Sequence, residues 1–591
     1  MRHFVIFLLA LALGCLQGTQ AAPARPGTRM LTQPDGSTVS VCLRGDEHLH
    51  FYETTDGLLL RQGADRFYYY ATESDGQVVP SRFVAKDVHL RNAEEAAFVR
   101  TLDGAALRAL LRPQTDEPEA ARRVAPGPIA PTFPTTGTVR GLVVLAQYQD
   151  IRFSSAVTAE LYDQVVNERN YQGELATGSV RDYFQDQSDG RLDLEFDVVG
   201  PVTLSKNRAY YGSAVETGKE RVDDMVSEAV KLAKAMQPDL DFSRYDQNGD
   251  KYVDFIFVIY AGYGESQGGP EECVWPQQNT LKFKDYTSYN GLRLSNYACT
   301  CELRGYVGEE LDGIGTFCHE FSHILGLPDI YDPLYSGAPG LGYWDVMDVG
   351  SYNNQGRTPS GYTAMDKYTL GWLDPTVLEA DQEVTLNAIS TSNEACFVVS
   401  EKNPNEYFTL ENRQPLGWDA YLPGHGLMVC HVEYSSGVWA SNKVNTSAKE
   451  YVHLVVADKN KGLYEENDGR DVFPGSSQVC TFSDDTTPSM RWNDGTASGC
   501  ALTDIAETDN VVTFRFHAPA SAIASTPGLE PALQVADGQL CVSNPDQTAI
   551  GVYTPAGRLV GSSQAAKASF ELPQGIYLVR IGQTVRKVSI R

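Results

Sequence analysis

The chain has 591 residues, enough for about four folded units at roughly 150 residues each. With 42% hydrophobic and 21% charged residues, 31 Tyr and 23 Phe, the composition excludes wholesale disorder and a coiled coil. Asp and Glu outnumber Lys and Arg by 76 to 48, a formal charge of −28; so acidic a surface repels phosphate backbones and anionic lipid, so no nucleic-acid partner is expected, while carboxylate binding of hard divalent cations is favoured.

At the N-terminus, Arg2 and His3 precede an apolar run from Phe4 to Leu13 that is too short to span a bilayer. Small residues then reach Thr19-Gln20-Ala21, which predicts a secretory leader over residues 1–21, cut after Ala21. The other reading of this segment is a lipoprotein modified at Cys15. No later stretch approaches 18 uninterrupted apolar residues, so no transmembrane segment is expected. Export permits disulfides, and setting aside Cys15, Cys42 and Cys541 leaves eight mid-chain cysteines among the 11. Eight cysteines allow about 105 pairings, so bridges and buried free thiols both remain open.

Residues 22–111 alternate aromatic and aliphatic runs, such as Arg66-Phe67-Tyr68-Tyr69-Tyr70, with Asp/Gly turns, predicting a small β-rich unit. A Pro-rich stretch with an Arg122-Arg123 pair follows, extended and open to proteolysis, and residues 22–123 together read as a propeptide and linker. Residues 135–375 are mixed α/β. Val139–Tyr148 and Val253–Tyr260 are buried-strand candidates; Val222, Met225, Val226, Ala229, Leu232, Ala233 and Met236 recur at helical spacing, with Pro238 beyond the end. Alternating strands fill residues 376–517, as in a β-sandwich. After a soft Ala/Ser/Pro stretch at 518–528, residues 530–591 carry only strand and turn signals.

The sharpest chemical signal is His319-Glu320-Phe321-Ser322-His323. A helix places His319 and His323 on one face, where both imidazoles reach a single zinc ion, while Glu320 lies about 100° round, able to act on metal-bound water without ligating. Gly326 can adopt positive φ and Pro328 blocks continuation, so Asp329 can swing back as a third ligand, with the fourth position open to water. Cys318 points about 100° away from the ligand face and suits the core or a disulfide.

A second signal is Asp246-Gln-Asn248-Gly249-Asp250-Lys-Tyr252-Val-Asp254. Oxygen side chains at alternate positions around a glycine, with the Tyr252 carbonyl available, match the front half of a calcium loop, although the final bidentate Glu is missing; the alternative is an Asx-rich turn. His425, His431 and Glu411-Asn412-Arg413 read as structural polar groups of the sandwich.

The wording of several segments carries a resemblance. HEFSHILGLPD resembles the extended zinc motif of metzincins whose third ligand is Asp, and YWDVMDVGSY at 343–352 resembles their Met-turn. GSVRDYFQDQS at 178–188, DFIFVIYAGYGE at 254–265 and NQGRTPSGYTAMDKYTLGWL at 354–373 resemble the secreted immune inhibitor A-type metallopeptidases, over roughly residues 135–515. The resemblance implies a metzincin-like α/β catalytic domain in which His319, His323 and Asp329 hold zinc, Glu320 is the general base and Met347 is a hydrophobic floor under the metal. Tyr352 is implied either as an oxyanion donor or as a buried structural tyrosine. VYTPAGRLV, LPQGIYLVRIG and VRKVSIR in the tail resemble the C-terminal sorting domain of type IX secretion substrates; an adhesive β-module is the other reading.

The expectation is therefore a multidomain, secreted zinc endopeptidase: an N-terminal β-rich propeptide, the catalytic domain, a β-sandwich and a small C-terminal β-sandwich for sorting. It implies zinc and calcium as cofactors, protein substrates, the type IX secretion machinery as partner and a monomeric state. The expected location is the medium or cell surface of a Gram-negative bacterium, reached through the periplasm. Its rivals are a non-catalytic adhesin on a degenerate protease scaffold and a zinc-dependent cell-wall amidase. Cys42 or Asp46 of the propeptide are candidates to fill the open metal position.

Overall fold

The computed structural model describes residues 20–111, 133–212, 220–281, 289–334, 340–446, 449–458, 467–519 and 532–590, the last range except 537–538, 545–547, 555–557, 566 and 582–583. The leader before Gln20, the Arg122-Arg123 pair and most of the 518–528 stretch lie outside these residues. Contacts divide the chain into two compact units, one ending at Ala518 and the other starting at Pro519.

The first unit contains one six-stranded sheet. Its members are β1 (Gln20–Ala21), β2 (Gly137–Gln147), β3 (Leu192–Thr203), β4 (Ile256–Tyr263), β5 (Gln277–Thr280) and β6 (Asn296–Leu303), in spatial order β1-β5-β6-β4-β2-β3. β2, β3, β4 and β6 run parallel; β5 is antiparallel to β6, and β1 is antiparallel to β5 on the open edge. The continuous apolar runs Leu142–Ala146 and Ile256–Ala261 suit parallel strands covered on both faces.

Alternation along those strands feeds two cores. Val143, Leu145, Phe257 and Ile259 face one side, with helices α1 (Ala159–Asn167), α2 (Val180–Gln187) and α4 (Gly315–Ile324). Leu142, Val144, Ile256 and Val258 face the other, against α3 (Val222–Met236). The expected helix over 222–236 is present, but Met236 is exposed and Val230 takes the buried place. The expected strand at 253–260 starts at Ile256 instead, because Tyr252–Val253 pairs separately with Arg293–Leu294.

Residues 22–111 form two three-stranded antiparallel sheets, Thr28–Thr32 with Thr38–Gly45 and His50–Thr54, and Leu60–Gln62 with Tyr68–Ser74 and Gln77–Val84. Two short helices, Ala93–Val99 and Gly104–Leu111, add to the strand-and-turn pattern read from sequence. The first is set by a capping box in which Asn92 and Glu95 satisfy each other's backbone amides.

From Thr376 onward two sheets pack face to face, Thr376–Val377, Cys396–Val399, Glu406–Arg413, Gly426–Glu433 and Val452–Leu454 against Gln382–Leu386, Val511–His517, Ala501–Thr508 and Phe482–Ser483. The outer face of the first sheet is also buried: Phe397, Tyr407, Met428 and Val432 belong to the same apolar core as α4.

The second unit contains a three-stranded and a four-stranded antiparallel sheet around Leu540, Val542, Val552, Val579 and Val588. Among the described residues no disulfide joins the cysteines, and no helix is long and apolar enough to cross a membrane.

Candidate metal centre and active-site cleft

Helix α4 is buried along its whole length, anchored by Phe321 among Phe184, Phe255 and Phe133. That packing turns the opposite side, with His319 and His323, inward. The Gly326 amide donates to the His323 carbonyl at 2.9 Å and the Leu327 amide to Ser322 at 3.1 Å, while Gly326 takes φ +102°. The chain therefore reverses where the sequence reading placed the turn and brings Asp329 back over the helix.

His319 Nδ1 lies 2.7 Å from the Val346 carbonyl, and His323 Nδ1 lies 2.8 Å from that of Leu327. A carbonyl can only accept, so each Nδ1 carries the proton and each Nε2 keeps its lone pair. The two Nε2 atoms are 3.2 Å apart and stand 3.1 and 3.3 Å from Asp329 Oδ1. A tetrahedral ion about 2.0–2.1 Å from each donor requires separations of about 3.3–3.4 Å, so these atoms form one face of a zinc-sized tetrahedron. Among the described residues this is the one group of three or more His, Cys, Asp or Glu side chains gathered this closely.

The electrostatics agree with a cation. With both Nε2 atoms unprotonated, Asp329 Oδ1 is buried without a hydrogen-bond partner, so three lone pairs converge with no proton among them, the arrangement a cation satisfies. At Glu320, burial, and after it the Asp329 charge, push the proton affinity well above that of an ordinary glutamate. Glu320 Oε2 is buried without a hydrogen-bond partner. Met347 is fully buried in the same core as Phe317 and Phe321, and its carbonyl accepts the Ile330 amide at 3.1 Å, tying the 343–352 turn to the Asp329 loop.

One contributor was not legible in the sequence. Asn442, 113 residues beyond Asp329, donates through Nδ2 to Asp329 Oδ2 at 2.6 Å and accepts the Asp329 amide at 2.7 Å. It follows the short helix Ser436–Ala440 in the β-sandwich and takes φ +53°. The sandwich thus supplies the group that orients the Asp329 carboxyl.

The cleft is filled by the start of the described chain. β1 lies antiparallel on β5, with Gln20 opposite Gln278 and Ala21 opposite Gln277. Beyond it the Ala22 amide donates to Glu320 Oε1 at 2.7 Å. Side chains capture three successive carbonyls: Tyr331 Oη reaches Ala21 O at 2.7 Å, Trp275 Nε1 reaches Ala22 O and Tyr352 Oη reaches Pro23 O, both at 2.8 Å. Tyr352, either reading of which sequence left open, is buried and bonded to backbone two residues from the peptide that faces Glu320.

Asp46 and Glu47 approach the same site. Asp46 Oδ1 accepts the His48 and Leu49 amides at 2.9 Å, so this carboxyl caps its own turn, and burial pushes it up to about 6. Cys42 Sγ lies 3.9 Å from Thr28 Oγ1 within the first sheet. The group that meets Glu320 is thus a backbone amide, while Asp46 lies near enough to Asp329 for their charges to interact.

In the 246–254 loop, Gly249 takes φ +74° and Asp246 Oδ1 is buried without a hydrogen-bond partner. Burial, then Asp250 and Asp246, push Asp254 up to about 6. Asn248 Oδ1 and Asp250 Oδ1 accept the Asp250 and Tyr252 amides at 2.9 and 2.8 Å, the bonds of Asx turns. His425 and His431 pair with Glu507 and Glu406, in structural positions away from the metal centre.

Replacing Asn442 by Gly keeps the left-handed backbone but removes the bond to Asp329. Zinc affinity, measured by competition with a chromophoric chelator, is expected to fall about 10–100-fold; an unchanged affinity would exclude Asn442 from the centre.

The profile described as immune inhibitor A peptidase M6, catalytic domain, matches residues 145–373. Immune inhibitor A of Bacillus thuringiensis subsp. alesti is 26% identical over 325 residues, 45% of this chain and 47% of that protein. The pre-pro-metalloprotease PrtV of Vibrio cholerae serotype O1 is 26% identical over 262 residues, 38% of this chain and 28% of that protein. The chain spans less than half the length of these relatives. His319, Glu320, His323, Asp329 and Met347 all fall within the stretch that matches an M6 peptidase catalytic domain.

Proposed function

We propose that the chain is a secreted zinc endopeptidase made as a latent precursor, a reading carried by the triangle of His319 Nε2, His323 Nε2 and Asp329 Oδ1 beside the buried carboxyl of Glu320. The names of its relatives as metalloprotease and immune inhibitor support it. A zinc ion held by these three residues supplies Lewis acidity toward a water and a substrate carbonyl. Glu320, with its raised proton affinity, takes the proton of the attacking water and delivers it to the departing nitrogen, facing the position where Ala22 N now lies.

Ala22 and Pro23, the first residues of the expected propeptide, lie against Glu320, Trp275 and Tyr352 where a substrate backbone would, which supports latency enforced by the propeptide. Glu320→Ala in the full chain is expected to abolish casein cleavage by several orders of magnitude while zinc stays bound. His319→Ala loses both. N-terminal sequencing of active wild-type protein should find a start near or beyond residue 123; fully active material starting at Ala22 refutes latency. A peptidoglycan zymogram beside the casein gel separates the amidase reading, and inactivity of the wild type on both favours the adhesin.

Calcium at Asp246, Asn248, Asp250, Tyr252 O and Asp254 is supported by the orphaned Asp246 oxygen and by Asp254, which burial and then the charges of Asp250 and Asp246 push up. EGTA with zinc kept in excess should lower the melting temperature of the wild type but not of Asp250→Ala; superimposable curves for both proteins, with and without calcium, would end the idea.

For residues 530–591 we propose a sorting role, supported by a unit with its own core. Deleting them should leave an active protease in a foreign host but trap the protein in the native periplasm. Wild-type levels of truncated Glu320→Ala protein in the medium would refute it.

A further inference from the structure

We propose that Tyr331 is the oxyanion-binding catalytic residue of this site, an inference that rests on the peptidase reading above. The argument starts from one peptide unit. The amide joining Ala21 to Ala22 presents its N–H to Glu320 Oε1 at 2.7 Å and its carbonyl oxygen to the Tyr331 hydroxyl, also at 2.7 Å. Hydrolysis by a water-activating glutamate needs that glutamate against the nitrogen that departs, and a hydrogen-bond donor against the oxygen of the same amide. In the uncut chain the Ala21–Ala22 unit, the bond at which the leader is expected to end, meets both conditions at once, so it marks the position of a scissile bond.

The neighbouring contacts fix the register around it. On the N-terminal side, Gln20 and Ala21 extend the sheet along β5. On the C-terminal side, Trp275 and Tyr352 take the next two carbonyls, those of Ala22 and Pro23. Tyr352, the tyrosine that family resemblance brings forward, therefore serves the second residue past the bond and positions substrate, whereas Tyr331 faces the reacting carbonyl.

The origin of Tyr331 explains how its hydroxyl is held. It lies two residues past Asp329, with the Ile330 amide tied to the Met347 carbonyl and its ring packed against Val349 and Tyr352. In the reaction the water oxygen bonds to the carbonyl carbon and the C=O electron pair moves onto oxygen, toward Tyr331 Oη–H. The water proton passes to Glu320 and on to the nitrogen as the C–N bond breaks. The hydroxyl keeps its own proton throughout; its bond strengthens as charge develops on the acceptor.

The test uses full-length wild type, Tyr331→Phe and Tyr352→Phe, each activated with trypsin. Turnover of a quenched fluorescent peptide, zinc content and calorimetric binding of a phosphinic peptide, whose anionic oxygens mimic the tetrahedral state, are measured for all three. Tyr331→Phe is expected to lower kcat about 10²–10³-fold with KM changed less than about threefold, and to weaken phosphinate binding by a similar factor with zinc retained. Tyr352→Phe should mainly raise KM. A Tyr331→Phe enzyme that keeps kcat and phosphinate affinity within about threefold of wild type overturns the proposal. So does a variant that loses zinc, which would make the residue structural. Wild-type protein that binds zinc but neither cleaves peptide nor binds phosphinate overturns the peptidase reading itself.

Discussion

Asp329 is a buried carboxylate that meets two imidazoles at 3.1 and 3.3 Å, and much of the molecule is arranged to keep it there. A buried anion is costly unless it is paired and fully hydrogen-bonded. Asn442 satisfies the Oδ2 of Asp329, whereas its Oδ1 faces the two Nε2 atoms without a hydrogen-bond partner and needs a cation; the Nδ1 of each histidine is fixed on a backbone carbonyl, that of Val346 or Leu327. Three distant stretches, the α4 turn, the 343–352 segment and the sandwich loop at 442, thus converge on one donor set. Such outer contacts fix tautomer and ring orientation, so a cation meets a preformed site rather than assembling one.

The same constraint shapes the cleft. The edge strand β5 offers unpaired backbone groups beside the metal centre, and an exposed edge of this kind recruits any extended chain. Here the recruit is the chain's own Gln20–Ala24 segment. Its side chains are small, and Ala21, Ala22 and Ala24 are wholly buried, so the recognition is made through backbone N–H and C=O groups. Recognition of this kind depends on the backbone of the occupant and on the small size of the side chains enclosed with it.

How far the sequence revealed these features follows from the range of each interaction. The His319/His323 pair, the Gly326 turn and the return of Asp329 are encoded within eleven residues, and helix period and turn chemistry suffice to read them. Helix 222–236 was legible for the same reason. Asn442 was not: a lone asparagine in a loop resembles any turn residue, and only the packing of the sandwich on the catalytic sheet brings it to Asp329. Tyr331 stands beside the motif but carries no periodic signal, and nothing in the local sequence singles out Trp275. The group facing Glu320 is a main-chain amide, which no residue type can announce.

Asn442 can act at such a distance only if the sandwich is held firmly against the catalytic sheet, and the interior shows what holds it. Arg413 ends a sandwich strand and has no exposed surface. Its Nε and Nη2 donate to Asp419 at 3.0 and 2.7 Å, its Nη1 to Glu411 at 3.1 Å, and Nη2 also reaches the Gly361 carbonyl at 3.2 Å. Asp419 Oδ1 in turn accepts the Gly361 amide, and Glu411 accepts that of Ala364, at the start of helix α5 (Ala364–Thr369). Gly361 and Ala364 belong to the stretch matched to the peptidase domain, so the network crosses from that stretch into the sandwich. Separating the two parts would strand a guanidinium and two carboxylates in an apolar interior, a larger loss than the network's own net stabilisation. The catalytic sheet and the sandwich are thereby bound to unfold together, and the register of Asn442 on Asp329 is as rigid as the core beneath it.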